Sequence, residues 1–167
     1  YRLVGSEMCI RDSTIGKSNM PNDSTHPSQP GLTTSETIET LLQRRSIRKY
    51  SDAPVTDAQV DAILQAAFRA PTSSNIQSYT VITVRDPETK QKLSVPAGNQ
   101  KHIVDCPVFL AFCADLTRLE HVLQERGHTL EDNNLEIGLV SSIDASLVGM
   151  SAYLAADSLG IKGCLLY

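Results

Sequence analysis

The sequence predicts a single domain of mixed helices and strands packed around one long apolar helix. Three observations predict it. Between residues 56 and 71, apolar side chains recur at helical spacing. Two short runs, 78–84 and 107–115, are β-branched or continuously apolar and read as strands. The stretch 130–160 is apolar on nearly every side, which in a helix means burial in a core or an interface.

Taken in order, "TTSETIETLLQRR" (33–45) reads as a short helix. Thr33 and Glu36 have capping-box spacing, and Ile38, Leu41 and Leu42 form the apolar face. In "TDAQVDAILQAAFRAP" (56–71), Thr56 and Gln59 suit a second capping box. Val60, Ile63, Leu64, Ala67 and Phe68 line one side, and Pro71 stops the helix. "TSSN" (72–75) is a polar loop before the strand "SYTVITV" (78–84). "DPETKQKLS" (86–94) reads as a surface helix, and "PVFLAFCAD" (107–115) as a buried strand carrying Cys106 and Cys113 near or on it, facing opposite ways. Residues 116–127 form a charged helix.

Within 130–160, Leu139, Ile143, Leu147, Met150 and Leu154 track one side. The small residues Ala145, Ser146, Gly149, Ser151 and Ala152 suit close packing against a second subunit. Gly160 ends this helix, and "IKGCLLY" begins a strand-like run.

Two parts stand outside this domain. Residues 1–13 resemble a translated sequencing adapter and are read as non-native, which puts the native start at Met20. Residues 1–33 as a whole read as a disordered arm, because 14–33 are rich in Ser, Thr, Asn, Pro and Gly. The chain stops within a strand-like run, so residues 34–167 are expected to be the N-terminal part of a longer domain.

Composition excludes several classes. A net charge of −4 argues against a general nucleic-acid binder. No uninterrupted apolar run reaches the ~18 residues of a membrane span. The four cysteines form no CxxC pair, which points to a reducing, cytoplasmic compartment rather than a disulfide framework. His121 and Glu125 have i,i+4 spacing but no third metal ligand, so no metal site is expected. There is no phosphate-binding lysine loop, no GxGxxG after a strand and no nucleophile elbow.

Three polar groups remain. "RRSIRK" (44–49) holds three arginines and one lysine at the end of the predicted first helix. Guanidinium groups and a serine hydroxyl match phosphate oxygens, and paired arginines would neutralise a phosphate monoester. The same residues would also serve as a solvated complement to the helix dipole, or Arg48 would pair with Asp52. "APTSSNIQ" (70–77) and "AGNQKH" (97–102) offer amide, hydroxyl and basic groups, each an ordinary loop when taken alone.

The order of these pieces, "RRSIRKYSDAPVTDAQVDAILQAAFRAPTSSNIQSYTVITV", "GNQKHI", "PVFLAFCADLTR" and "AYLAADSLGIKG", resembles the nitroreductase family. It is most similar to the branch of oxygen-insensitive NADPH nitroreductases and NADPH–flavin oxidoreductases. The resemblance covers about residues 35–164. It implies an α+β fold with a mixed or antiparallel central sheet flanked by helices, and a long central helix at a homodimer interface. It implies FMN as cofactor and NADPH or NADH as hydride donor, with nitroaromatic, quinone or flavin acceptors. Arg44 stands where the family signature usually has histidine. Arg44, Ser46 and Arg48 match phosphate and ribityl contacts, with Arg45 inside the motif. Ser73, Ser74, Asn75 and Gln77 match positions near the flavin ring and ribityl chain, in a loop one residue shorter than in close relatives. Gln100 matches a glutamine at the pyrimidine edge. No catalytic residue is expected, because the flavin itself carries the redox chemistry. The alternatives are a reductase that treats FMN as substrate, a non-catalytic phosphate-ligand module, and an inactive fragment.

Overall fold

In a computed structural model of the protein, residues 33–130 and 135–166 are described. The expected arm, residues 1–33, lies outside them apart from Thr33. Residues 35–167 cluster as one compact unit.

Helix α1 is Glu36–Gln43. Its cap is Ser35, whose hydroxyl accepts from the Ile38 amide at 3.3 Å, and not the expected Thr33. Helix α2, Asp57–Ala67, has the capping box read from its sequence. The Thr56 hydroxyl accepts from the Gln59 amide at 3.2 Å, and the Gln59 side chain accepts from the Thr56 amide at 2.9 Å. Val60, Ile63 and Ala67 turn inward, and Phe68 stays half exposed while stacking on Tyr79.

Strands β1 (Tyr79–Val84) and β2 (Phe109–Ala114) form a two-stranded antiparallel sheet, with Tyr79 opposite Ala114 and Val84 opposite Phe109. Strand β2 was expected to be buried. Phe109 to Cys113 are only half-buried and Ala114 is exposed, because β1 covers one edge and α6 one face. Cys106 precedes the strand and is buried at the end of α4, while Cys113 lies within β2. The three described cysteines are free.

Between the strands run α3 (Pro87–Ser94) and α4 (Lys101–Asp105). Lys90 of α3 is buried, and its ammonium donates to the carbonyls of Val104 at 3.0 Å and Cys106 at 2.6 Å. That ammonium caps the C-terminus of the short α4. Helix α5, Thr117–Glu125, follows β2.

Helix α6, Leu135–Ser158, is the platform for the rest. The core is Ile63, Ala67, Tyr79, Ala145, Val148 and Ala152, contributed by α2, β1 and α6. The sequence suggested that the small residues of α6 face another subunit. Ala145, Gly149 and Ala152 instead turn inward, with Gly149 against the Phe112 ring. The large residues turn outward: Leu139 is 52% and Ile143 56% exposed, and Leu147 also shows. By length and composition alone this 24-residue helix is long and apolar enough to cross a membrane, its most apolar 18-residue stretch having a mean hydropathy of 1.4. Here its inward side packs on α2 and β2. Beyond Gly160, whose φ is +76°, the expected strand is an irregular segment, tied by one backbone hydrogen bond of 2.8 Å from Ile47 to Gly163.

Candidate functional site

The arginine cluster begins at the end of α1, as read from the sequence, and runs on beyond it. Arg44 is the C-cap of α1 with ψ of 131°, and Arg45 to Tyr50 continue without helical structure. The cluster therefore lies past the last helical turn, where dipole compensation is weaker. Two of the ties on this segment come from far along the chain. One is the backbone bond from Ile47 to Gly163. The other is Tyr153, buried on α6, whose hydroxyl lies 2.9 Å from the Arg45 carbonyl and 3.1 Å from that of Gly163. The same hydroxyl accepts from Arg44 Nη1 at 3.4 Å, and the guanidinium carbon sits 5.4 Å from the ring centroid. Arg44 is thus half-buried against an aromatic face, a cation–π arrangement. Arg45, Ser46 and Arg48 are exposed.

The second polar group is a strained loop. Ser73–Asn75 form one turn of 3₁₀ helix, and Ser74, Asn75 and Gln77 have φ of 50°, 57° and 56°. Left-handed backbone at three non-glycine residues within four positions is uncommon and needs support from its surroundings. Asp144, 1% exposed on α6, supplies it. Its carboxylate accepts from the Ser73 amide at 3.0 Å, the Ser78 amide at 3.3 Å and the Ser78 hydroxyl at 2.9 Å. Ser73, Ser74, Asn75 and Gln77 remain exposed, with the Gln77 amide donating to Asn75 Oδ1 at 3.2 Å.

In the third group, Gly98 and Asn99 make a left-handed turn into α4. Gln100 precedes that helix and donates from Nε2 to the Ala97 carbonyl at 2.8 Å. Burial lowers the pKa of His102, and the nearby positive charge of Arg48 lowers it further against the opposing Asp105. Ile47 and Lys49, on either side of Arg48, line the same cavity as His102. His102 Nε2 is buried and has no hydrogen-bond partner among the described residues.

Arg48 and the Gln100–His102 segment thus share one region. The loop lies apart from them. Asp144 and Tyr153 are nine residues apart, and at about 100° per residue they project from opposite sides of α6. Around the helix axis, the outward stripe of Leu139, Ile143 and Leu147 falls between those two directions. A cavity of about 920 Å³ adjoins the arginine segment: Ile47, Lys49, Tyr50, His102, Cys106 and Tyr153 are among its lining residues, and Arg44, Ser46, Arg48, Ser73 and Gln77 are not. Burial pushes the Tyr50 phenol at its wall up to about 12, helped by Cys106 and Cys164 against Arg48. The His121–Glu125 pair is an exposed 3.4 Å contact, and no group of metal-ligating side chains is present among the described residues.

Asp144 and Tyr153 were not singled out from sequence. The available signal for Asp144 was an acidic residue inside an otherwise apolar helix.

Residues 41–166 match the profile of the nitroreductase family. The chain belongs to the nitroreductase family. It is 42% identical over 130 residues to an FMN reductase (NADPH) of Bacillus subtilis, covering 77% of this chain and 52% of the relative. It is 38% identical to an oxygen-insensitive NADPH nitroreductase of Salmonella typhimurium, over 77% of this chain and 52% of that protein. The structure of the NADPH:FMN oxidoreductase of Vibrio harveyi complexed with NAD+ superposes with a TM-score of 0.69 at 35% identity. That match covers 74% of this chain and 52% of the other. The α+β fold read from the sequence is therefore the nitroreductase fold. The chain spans about half the length of the curated relatives it matches.

Proposed function

We propose that the protein carrying this chain is an FMN-dependent oxidoreductase that takes hydride from NADPH or NADH and passes it to a nitroaromatic, quinone or flavin acceptor. The observation that carries the reading is the donor set of the 44–48 segment, three guanidinium groups and a hydroxyl within five residues, held in place by Tyr153. That set suits a dianionic phosphate. Arg44, Arg45, Ser46 and Arg48 would bind the phosphate and ribityl end. The exposed Ser73, Ser74, Asn75 and Gln77 would meet the ring and ribityl chain, and Gln100 the pyrimidine edge. When bound, the flavin supplies two-electron chemistry, and cationic or amide donors near its pyrimidine edge favour the reduced, anionic form. No side chain of this segment is required as acid or base. The nucleotide preference of the B. subtilis, S. typhimurium and V. harveyi relatives favours a pyridine nucleotide donor.

The partner is a second copy. Leu139, Ile143 and Leu147 form an exposed apolar stripe on α6. A second copy seated there would cover the stripe. We place the protein in the cytoplasm, and residues 34–167 in the N-terminal part of its domain.

The test is direct. Under anaerobic conditions, NADPH or NADH should bleach the visible absorbance of protein-bound FMN, and a nitroaromatic or quinone should restore it. Arg48→Ala should lower FMN occupancy and this turnover together. FMN that binds but is not bleached by either nucleotide would refute the enzyme reading.

A further inference from the structure

We infer that Asp144 is a positioning residue for the flavin ring: its carboxylate staples both ends of the 73–78 loop and so holds the loop's left-handed conformation. The inference rests on the flavin site proposed above. One carboxylate oxygen takes the Ser73 amide and the other takes the Ser78 amide and hydroxyl. The two amides bracket Ser74, Asn75 and Gln77, the three residues with positive φ. Inside the loop only short-range backbone bonds hold the chain, from Asn75 to Thr72, Ile76 to Ser73 and Tyr79 to Gln77. These bonds close turns; the loop's Ser78 end is also tied to the domain by the Asp115 amide, which donates to the Ser78 carbonyl at 3.0 Å, but no backbone bond of this kind reaches the Ser73 end. Asp144 is the group that holds both ends at once, because it sits on α6 beside the core residues Ala145 and Val148. An ionised carboxylate accepts at both oxygens, and no other side chain of this size offers two acceptor oxygens without a donor.

An amide in its place presents one acceptor and one NH₂ group. In either orientation, one of the two backbone N–H groups then faces a donor. The loop would lose one staple while the packing volume at position 144 stays the same. Because the exposed side chains of this loop are the proposed ring contacts, the cost should fall on flavin binding.

The experiment has two arms, carried out on the protein expressed with the whole of its reading frame. In the first, hydrogen exchange of the unaltered protein without flavin should show the Ser73 and Ser78 amides protected more strongly than those of Ser74 and Gln77. Free exchange at both would overturn the inference without any variant. In the second, FMN is titrated onto the unaltered protein, Asp144→Asn and Ser78→Ala. Asp144→Asn should raise the Kd about tenfold and alter the visible spectrum of bound FMN, at temperatures where the variant remains folded. Ser78→Ala keeps both backbone bonds and should stay within about twofold. If Asp144→Asn binds FMN with an unchanged Kd and spectrum, the positioning role is refuted. If the unaltered protein fails to bind FMN, the flavin site itself is refuted, and the exchange arm still decides whether Asp144 holds the loop.

Discussion

Removing one oxygen atom from Tyr153 should loosen the arginine segment without disturbing the core. Tyr153→Phe keeps the buried ring and the Arg44 guanidinium stacked on it. It removes a hydroxyl that lies 2.9 Å from the Arg45 carbonyl, 3.1 Å from that of Gly163 and 3.4 Å from Arg44 Nη1. A phenol has one proton, so the variant loses one donated hydrogen bond, shared between two carbonyls, and one weak accepted one. A net hydrogen bond is worth about 0.5–1.5 kcal/mol, and a carbonyl left without its donor adds to the cost. The expected destabilisation is about 1–3 kcal/mol. With a urea m-value of about 2 kcal/mol/M, the unfolding midpoint should fall by roughly 0.5–1.5 M. Because the hydroxyl ties the segment that would hold the phosphate, FMN affinity should fall as well, by about fivefold. Equilibrium urea unfolding followed by circular dichroism, with FMN titration in parallel, measures both. A midpoint and a Kd equal to those of the unaltered protein would refute the reasoning that Tyr153 organises this segment.

Two other perturbations test the packing and electrostatics of the scaffold. Hydrogen bonds from the Thr117 hydroxyl, the Thr80 hydroxyl and the Thr117 amide hold the Asp115 carboxyl at about 2, below its ordinary 3.8. A depressed carboxyl stabilises the fold above its unfolded pKa, and that contribution is lost as pH falls from about 4 to about 2. Thermal unfolding across that window should show Asp115→Asn losing less stability than the unaltered protein, and parallel acid limbs would contradict this. Gly149→Ala places a methyl group 3.5 Å from the Phe112 ring, an ordinary contact. Alanine is the better helix former, so the variant should be more stable by about 0.5–1 kcal/mol in urea unfolding. A loss of stability would mean that this helix and β2 pack more tightly than the contact indicates.

What could be read from the sequence was set by local chemistry. The Thr56–Gln59 box, the β-branched strand and the 24-residue helix each follow from residues near one another in the chain. The end of α1 was misplaced because Arg44 and Arg45 are good helix formers. Here the chain leaves the helix at Arg44, and its tie to Gly163 comes from more than a hundred residues away. The side of α6 that turns inward was misread for a similar reason. Hydrophobicity alone ranks Leu139 and Ile143 above Ala145 and Gly149, yet it is Ala145, Val148, Gly149 and Ala152 that turn inward. The three polar groups could be located in the chain, whereas their supports could not. Asp144 acts on a loop 66–71 residues earlier, and Tyr153 on a segment 108 residues earlier. No periodicity carries such pairings.

The account stands or falls on whether the 44–48 segment holds a flavin phosphate. Equilibrium titration of FMN onto the unaltered protein and Arg48→Ala tests this most directly. A charge-assisted contact is worth about 1.5–3 kcal/mol, so losing one should raise the Kd about 10- to 100-fold. The account predicts one FMN bound per chain and a Kd raised by that factor in Arg48→Ala. FMN bound equally tightly by both proteins, or by neither, would contradict it.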